Sequence, residues 1–206
     1  IFQFSFNLAA DAELGDWSIS VTALEGVEND IEHTSESTFK IVPQLPNITL
    51  TKNVDVYSDP IHGTNTATSF AKAIPNAVLT YTISASNSGP GAAQINSIWI
   101  ADAIPLNMFM NVLDFDDVAD TGPIKVLPSA SPSGLNYNFE SLSSNSDDLE
   151  FSANNGASFT YSPTPDSDGI DKNITHFRIN PKGVFQAPAA GESPTQFTIK
   201  FRVRLQ

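Results

Sequence analysis

Closely spaced aspartates are the residues of this chain whose type and spacing best suit a chemical role. In the segment DSDGIDKN, Asp166, Asp168 and Asp171 surround Gly169. Calcium takes roughly six to eight oxygen ligands, which neighbouring carboxylates and loop carbonyls beside a turn glycine supply. These three aspartates are therefore a candidate calcium site. The alternative is a solvated turn whose aspartates hydrogen-bond to the local backbone.

A second acidic segment, DFDDVAD, is the other candidate for calcium. It carries four aspartates at short intervals: Asp114, Asp116, Asp117 and Asp120. Neither acidic segment matches the EF-hand loop, which needs a glutamate at its last ligand position. On sequence alone, each segment is either a calcium loop or an ordinary acidic turn.

Motifs for catalysis are missing from the sequence. His33, His62 and His176 are far apart and have neither the HxH nor the HExxH spacing of a transition-metal site. The chain has no GxSxG motif, no glycine-rich phosphate loop and no cysteine. We therefore expect a protein that is not an enzyme.

The charge balance restricts the partners of the protein. Its 206 residues contain 23 acidic and 10 basic side chains, which give a formal net charge of −13. Nucleic-acid binding requires clustered Lys and Arg, so nucleic acid is not expected as a partner. No apolar run approaches the ~20 residues of a membrane-spanning helix, so membrane insertion is not expected. The lack of cysteine and the abundance of Ser, Thr and Asn favour an extracellular or cell-surface protein.

Sequence periodicity predicts an all-β fold. Apolar and polar residues alternate in short segments bounded by Gly, Pro, Asn and Asp, a pattern typical of antiparallel β-sandwiches. Asn155-Gly156 is the pair preferred in a two-residue type I′ hairpin turn, and a weak helical pattern covers residues 108–118. The predicted strands lie near residues 1–8, 16–24, 37–42, 48–56, 77–86, 94–101, 123–127, 135–139, 148–153, 157–162, 174–180 and 196–205.

A proline-bearing stretch, VPQLPN, divides the chain. We interpret residues 1–43 as a short, incomplete N-terminal β segment, 44–47 as a linker and 48–206 as the main β-sandwich domain. The three strands predicted in the first segment are too few to close a two-sheet sandwich. The segment therefore either docks on the larger domain or is completed by something outside the chain.

The sequence IFQFSFNL at residues 1–8 alternates apolar and polar residues without interruption. The apolar positions form one face of the predicted strand: Phe2, Phe4, Phe6 and Leu8. A free apolar strand is a template for pairing, and the usual protection by Lys, Pro or a bulge is missing here. We expect this strand to be donated to a neighbouring subunit, with a hairpin to residues 17–24 as the intramolecular alternative.

The segment QFTIKFRVRL near the other end has the same two-residue period. Its apolar residues form a core face, and the opposite face carries Lys200, Arg202 and Arg204. In a chain of net charge −13, an acidic neighbour for these residues is expected. That neighbour lies either on an adjacent strand, where an opposite-charge pair contributes roughly 0.2–1 kcal/mol, or on an adjacent subunit. The three basic residues are therefore candidate subunit-interface residues, together with the strand at 1–8.

Residues 73–105, AIPNAVLTYTISASNSGPGAAQINSIWIADAIP, contain an ordered series of short motifs. The matching residues are Tyr81, Thr82, Ile83, Asn87, Gly89, Ala92, Ala93, Asp102, Ile104 and Pro105. The series resembles the conserved-repeat family of immunoglobulin-like domains of bacterial cell-surface and secreted proteins. That family has a Tyr-Thr-Ile strand, an Asn-x-Gly turn, two small residues and an Asp-x-hydrophobic-Pro ending in this order. The chain has Pro75-Asn76 where the family usually has Pro-Gly, and Asn also accepts a left-handed turn.

The resemblance implies an immunoglobulin-like antiparallel β-sandwich with structural or adhesive work outside the cell and no catalytic residues. Lys52, in the strand TLTKNVDV, faces water in the simplest interpretation. We expect a subunit of a bacterial surface filament or matrix, assembled from copies of itself by β-strand donation. The alternative is a monomeric cell-surface adhesin module that binds glycan or protein through its loops, with calcium if the first acidic loop binds it.

Overall fold

The structure, a computed structural model, describes residues 15–25, 31–41 and 44–206. The chain divides into two units, one ending at Gln44 and the other running from Leu45 to Gln206. The predicted strand at 1–8, with Phe2, Phe4, Phe6 and Leu8, lies outside the described residues.

The described part of the first unit is a β-hairpin. Strand β1 (Gly15–Glu25) pairs antiparallel with β2 (Ile31–Ile41), from Gly15 opposite Ile41 to Glu25 opposite Ile31. The second strand begins earlier than the 37–42 segment that the alternation predicted. A two-stranded hairpin is marginally stable by itself in water, so this hairpin needs further packing to persist.

The regular secondary structure of the second unit consists almost entirely of strands. Its described elements are β3 (Ile48–Asp59), β4 (Gly63–Thr64), β5 (Val78–Asn87), β6 (Ile100–Ala103), β7 (Met108–Asn111), β8 (Lys125–Leu127), β9 (Leu135–Asn136), β10 (Leu149–Ser152), β11 (Ile170–Asp171), β12 (His176–Ile179), β13 (Lys182–Gly183) and β14 (Thr195–Leu205), with a 3-10 turn at Phe115–Asp117. The all-β prediction is confirmed.

Antiparallel strands form two main sheets in this unit. The large sheet has the order β11-β7-β14-β5-β3-β4, and β8 also pairs with β14. The small sheet has the order β10-β12-β6, and β9 and β13 form a separate short pair. Phe177 of the small sheet packs edge to face on Phe201 of the large sheet, with ring centres 4.8 Å apart. The result is a sandwich-like antiparallel fold, and the more specific immunoglobulin-like topology stays a prediction.

Strand β14 is the centre of the large sheet, and its alternation decides which residues enter the core. It pairs with β5 from Thr195 opposite Asn87 to Arg204 opposite Val78. Phe201 and Val203 are fully buried, and Phe201 stacks on Tyr81 of β5 with ring centres 5.3 Å apart. The strand predicted at 196–205 is confirmed.

Three local predictions were wrong. Residues 108–118 do not form a helix, because Asp116 and Asp117 both have positive φ and the segment becomes β7 followed by a 3-10 turn. Residues 94–101 are mostly a turn, since Asn96 also has positive φ and only β6 remains extended. Residues 157–162 form an isolated bridge between Tyr161 and Phe151 and not a strand.

The turn at Asn155-Gly156 has the backbone that the sequence predicts. Asn155 has a φ of 60° and Gly156 a φ of 78°. Both central residues of a type I′ turn need positive φ, so the local turn signal was correct even though no strand follows the turn at residues 157–162.

Asn87, at the end of β5, ties three segments together. Its side-chain oxygen accepts hydrogen bonds from the N–H groups of Asn47 and Gly89, both at 3.0 Å. Its amide donates to the carbonyls of Gly91 (2.9 Å) and Gln186 (3.1 Å). The whole residue is buried, so each of its polar atoms has a partner where water does not reach.

Gly89 is required in this turn by space. A Cβ atom there would lie 2.4 Å from the backbone N of Asn47 and 2.5 Å from the carbonyl O of Leu45. These contacts are far shorter than van der Waals distance and involve backbone atoms that do not move aside. In the Asn-x-Gly motif, Asn87 therefore holds the start of the second unit by hydrogen bonds, and Gly89 allows the backbone of residues 45–47 to pack closely against it.

Replacing Asn87 by Ala should destabilise this unit strongly. The change leaves buried N–H and C=O groups without partners, and each such group costs about 1–3 kcal/mol. We expect the free energy of unfolding, measured by urea denaturation, to fall by about 2–4 kcal/mol. Asn53→Ala, at an exposed position of β3, is the matched control and should change it by less than about 0.5 kcal/mol. Equal effects of the two substitutions would contradict the assigned role of Asn87.

Candidate functional site

Strand β3 forms an open edge of the large sheet. It pairs with β5 from Ile48 to Ser58. On its other side, β4 pairs only with Ser58 and Asp59. Within the described chain, the backbone from 48 to 56 therefore has no strand on its outer side.

Two core-facing side chains of β3 are left uncovered. Leu50 lies opposite Ala85 and Val54 lies opposite Tyr81 in the register with β5. Ala85 and Tyr81 are buried, whereas Leu50 is 55% and Val54 is 49% exposed. Directly opposed residues share one face of a sheet. The core side of the large sheet therefore ends in exposed apolar surface at β3.

A salt bridge joins β3 to β6, which is the edge strand of the small sheet. Lys52 Nζ donates to Asp102 Oδ2 at 2.5 Å. Lys52 lies opposite Ile83 and Asp102 lies opposite Phe177, and both of these apolar residues are buried. The two charged residues therefore occupy core-facing positions on the edges of the two sheets. Lys52 is exposed to water, as the simplest interpretation had it, but it occupies the core-facing side of its strand.

The outer edge of β3 from residue 48 to 56, with the exposed side chains of Leu50 and Val54, is the surface that we call the edge groove. The stacked rings of Tyr81 and Phe201 are buried on the inner side of this edge. Lys52 Nζ lies 4.5 Å from the ring centre of Tyr81 and 5.8 Å from that of Phe201. A further strand that paired with the outer edge of β3 would place every second side chain on the same face of the sheet as Leu50 and Val54.

Leu50 and Val54 are not recognisable as edge residues from alternation alone. A strand that is covered on both sides and a strand at an edge show the same two-residue period. The available signal is Lys52, because a charged residue at a core-facing position is typical of edge strands. TLTKNVDV carries that signal in its fourth residue.

Asp59 fixes the turn that ends the open edge. Its buried carboxylate accepts hydrogen bonds from the backbone N–H groups of Ile61 (2.7 Å), His62 (2.6 Å) and Lys72 (2.5 Å). His62 Nδ1 lies 2.9 Å from Asp59 Oδ2, the oxygen that also accepts from the N–H of Lys72. Burial would raise the pKa of the Asp59 carboxyl, but these hydrogen bonds outweigh that effect and hold the pKa well below its ordinary value.

Two of the three basic residues of β14 have acidic partners in their own chain. Arg202 Nη2 donates to Asp116 Oδ1 at 2.6 Å, and Arg204 Nη1 donates to Asp168 Oδ2 at 2.7 Å. Lys125 also donates to Asp116, at 2.5 Å. The hydrogen bond from Lys125, together with Arg202 and against the effect of burial, lowers the pKa of Asp116.

Aromatic rings also hold Arg202 in place. Its guanidinium lies 3.8 Å from the ring centre of Tyr57 and 4.2 Å from that of Phe115. Lys200 lines a neighbouring cavity of about 320 Å³ that Arg202 and Tyr57 share. The acidic neighbour that the sequence required is thus intramolecular for Arg202 and Arg204. The location of Lys200, Arg202 and Arg204 at a subunit interface stays a prediction.

The aspartates of the first acidic segment are directed to separate partners. Asp166 accepts from the N–H groups of Asp168 (2.9 Å) and Ile170 (3.0 Å), and Asp168 binds Arg204. Asp171 is buried and accepts from the hydroxyl of Tyr161 at 2.8 Å. In the described residues, no three His, Asp or Glu side chains come together as a metal site requires. The structure therefore does not assemble Asp166, Asp168 and Asp171 into a shared cation site.

The second acidic segment is likewise arranged as a turn. Asp114 Oδ1 accepts from the N–H of Gly122 at 2.8 Å, and Asp116 is engaged by Lys125 and Arg202. Asp120, like Asp116 and Asp117, has a positive φ, which aspartate tolerates better than most residues. Backbone conformation accounts for the acidic residues in this segment.

A cavity of about 470 Å³ opens beside this turn. Its apolar lining includes Ile124, Tyr137 and Phe139, and its polar lining includes Thr121 and Asn138. A concave site with an apolar floor and a few polar groups has the general character of a ligand pocket.

Comparison of the chain with protein-family models, with curated proteins and with solved structures found no match. Within the described residues, no helix is long and apolar enough to cross a membrane.

Substitutions of Lys52 should separate the contribution of its charge to stability from the contribution of its hydrocarbon stem. Lys52→Met keeps an apolar stem over Tyr81 and removes the ammonium, whereas Lys52→Ala removes both. A partly exposed ion pair contributes at most about 1 kcal/mol. We expect the Met variant to lose less than about 1 kcal/mol of unfolding free energy in urea denaturation, and the Ala variant to lose more. Equal losses would show that the ammonium, not the stem, holds the edge.

Asp59→Asn should change how stability depends on pH. Because the pKa of Asp59 is depressed in the folded state, its ionised form contributes stability above the ordinary carboxyl pKa, and this contribution is lost as the pH falls below it. We expect the difference in melting temperature between wild type and Asp59→Asn to be widest above about pH 5 and to narrow below about pH 4. Thermal melts across this range test the expectation, and a constant difference would refute it.

Proposed function

We propose that this protein is a structural subunit of an extracellular filament or matrix whose copies join by β-strand donation. The observation that carries the proposal is the open outer edge of β3, where Leu50 and Val54 leave apolar surface uncovered on the core side of the sheet. Edges of monomeric proteins are usually shortened, bulged, charged or covered. In β3 the bulge lies at Val56–Ser58 and the charge of Lys52 is paired with Asp102, and neither covers Leu50 or Val54. An edge with exposed apolar side chains is the surface to which an added strand binds.

The sequence supplies a segment with the properties of a donor. Residues 1–8 carry four apolar side chains on one face of a predicted strand and no charged residue. Burial of Phe and Leu side chains contributes about 1.5–3 kcal/mol each before ordering costs. Donation of such a segment would cover the exposed apolar surface of the acceptor and its own apolar face at once.

The hairpin of β1 and β2 is a second element that contacts between copies would stabilise. Two strands alone are only marginally stable, and each of these strands runs for 11 residues. Contacts with another copy are one source of the additional burial that such a hairpin needs. A cysteine-free, Ser-, Thr- and Asn-rich composition agrees with an extracellular setting.

A second candidate function is a monomeric adhesin module. The observation in its favour is the cavity of about 470 Å³ lined by Ile124, Tyr137 and Phe139, with Thr121 and Asn138 as polar groups. Such a module would bind a glycan or a peptide side chain there and would remain monomeric at all concentrations.

Removal of residues 1–8 should abolish assembly. We expect the full chain to form polymers, seen by light scattering and negative-stain imaging, because each copy accepts the strand of another. The truncated chain should remain folded, with an unchanged circular dichroism spectrum, but monomeric. A triple Phe2→Ser, Phe4→Ser and Phe6→Ser variant should behave like the truncation.

The matched control replaces the polar face instead. Gln3→Ser and Asn7→Ser leave the apolar face intact and should leave assembly unchanged. Polymers formed equally well by the truncated chain would overturn the proposed function. A full chain that is monomeric at every concentration would favour the adhesin module.

A further inference from the structure

The edge groove is open over a length that suits one short strand. At about 3.3 Å per residue, residues 48–56 of β3 offer an edge of roughly 30 Å, and residues 1–8 would extend over roughly 26 Å. The strand β6 belongs to the small sheet. A strand added at this edge therefore finds its backbone partners on β3.

The side chains of the groove and of the segment at 1–8 are complementary in character. Leu50 and Val54 expose apolar surface on the core-facing side of β3. The segment IFQFSFNL presents three Phe and one Leu on a single face. Pairing in the register that turns this face inward would cover Leu50 and Val54 and leave the polar residues of the segment outside.

The charges of the groove also favour a neutral strand. Lys52 and Asp102 neutralise each other at 2.5 Å, with 34% and 14% of their side-chain surface exposed. A strand that brought a further charge to this position would bury it without a partner, which is costly. Residues 1–8 bring none, and a Phe ring beside Lys52 would add to the aromatic contacts that its ammonium already makes.

We infer that the edge groove is the acceptor for residues 1–8 of a second copy of this chain, which add to the large sheet beside β3. The inference rests on the proposed function and names the acceptor of the donated strand. Each copy carries one donor and one acceptor, so the contact is heterologous and continues from copy to copy in an open chain.

Disulfide trapping tests this inference with little interference, because the chain has no cysteine. One protein carries a single cysteine on β3, either Val54→Cys or Thr51→Cys. The other carries a single cysteine in the donor segment, at Phe4 or at Ser5. Val54 and Thr51 lie on opposite faces of β3, since they pair with Tyr81 and Ser84 and their sequence separation is odd.

In an oxidised mixture of the two proteins, we expect disulfides only between cysteines that lie on the same face of the extended sheet. Val54→Cys should form a mixed dimer with a cysteine on the apolar face of the donor, and Thr51→Cys with one on its polar face. Scanning the remaining apolar positions, Phe2, Phe6 and Leu8, allows for the register, because opposed cysteines must lie within about 7 Å between Cα atoms. Both β3 positions are exposed, so neither substitution should unfold the protein.

Other outcomes separate this inference from the proposed function. No mixed dimer with either β3 position, while truncation of residues 1–8 still abolishes assembly, would leave strand donation standing and refute the edge groove as its acceptor. Trapping within one chain, in a protein carrying both cysteines at high dilution and without mixed dimers, would refute the second copy as the source of the strand. Assembly that survives the truncation would refute the proposed function itself.

Discussion

The antiparallel pairing of β14 with β5 is the interaction on which the rest of the structure depends. Both strands alternate strictly, so one face of the pair is buried and the other carries Arg202 and Arg204. A slip of one residue would turn these arginines into the core and expose Phe201. The register is therefore fixed by the cost of burying charge. Because β5 also sets the register of β3, the same constraint places Leu50 and Val54 on the core side of a strand that no described element covers.

The small sheet covers the centre of the large sheet and ends at its edge. Phe177 packs on Phe201, and at the edge the side chains of Lys52 and Asp102 join β3 to β6. An ion pair in this position keeps its charges near water while the lysine stem lies over Tyr81. Aromatic packing therefore joins the two sheets at their centre. At the β3 edge the ion pair of Lys52 and Asp102 joins them, and no described strand pairs with residues 48–56 on their outer side.

Strong local signals made part of this fold predictable. Alternation over the last strand located β14 to within one residue at its start, and Asn155-Gly156 adopts the left-handed backbone that its turn demands. Positive φ at Asn96 and Asp116 interrupted segments whose apolar spacing suggested longer elements. Contacts between residues distant in sequence could not be predicted from local patterns. The ion pairs of Asp168 with Arg204 and of Lys52 with Asp102 form because the packing of whole strands brings these residues together. The edge groove belongs to this second group, since alternation is identical in covered and uncovered strands.

The position of Lys52 has a consequence for how two copies meet. The open edge runs from 48 to 56, and Lys52 is its midpoint. If two copies joined edge to edge through β3 in a symmetric antiparallel pair, Lys52 of one copy would oppose Lys52 of the other, on the same face. Each Lys52 keeps Asp102 as its counter-ion, so this arrangement would bury two ion pairs at the centre of the shared edge, at a desolvation cost for each. A neutral strand such as residues 1–8 would bury only one such pair. Under the proposed function, Lys52 therefore disfavours a closed two-fold dimer more than it disfavours strand donation.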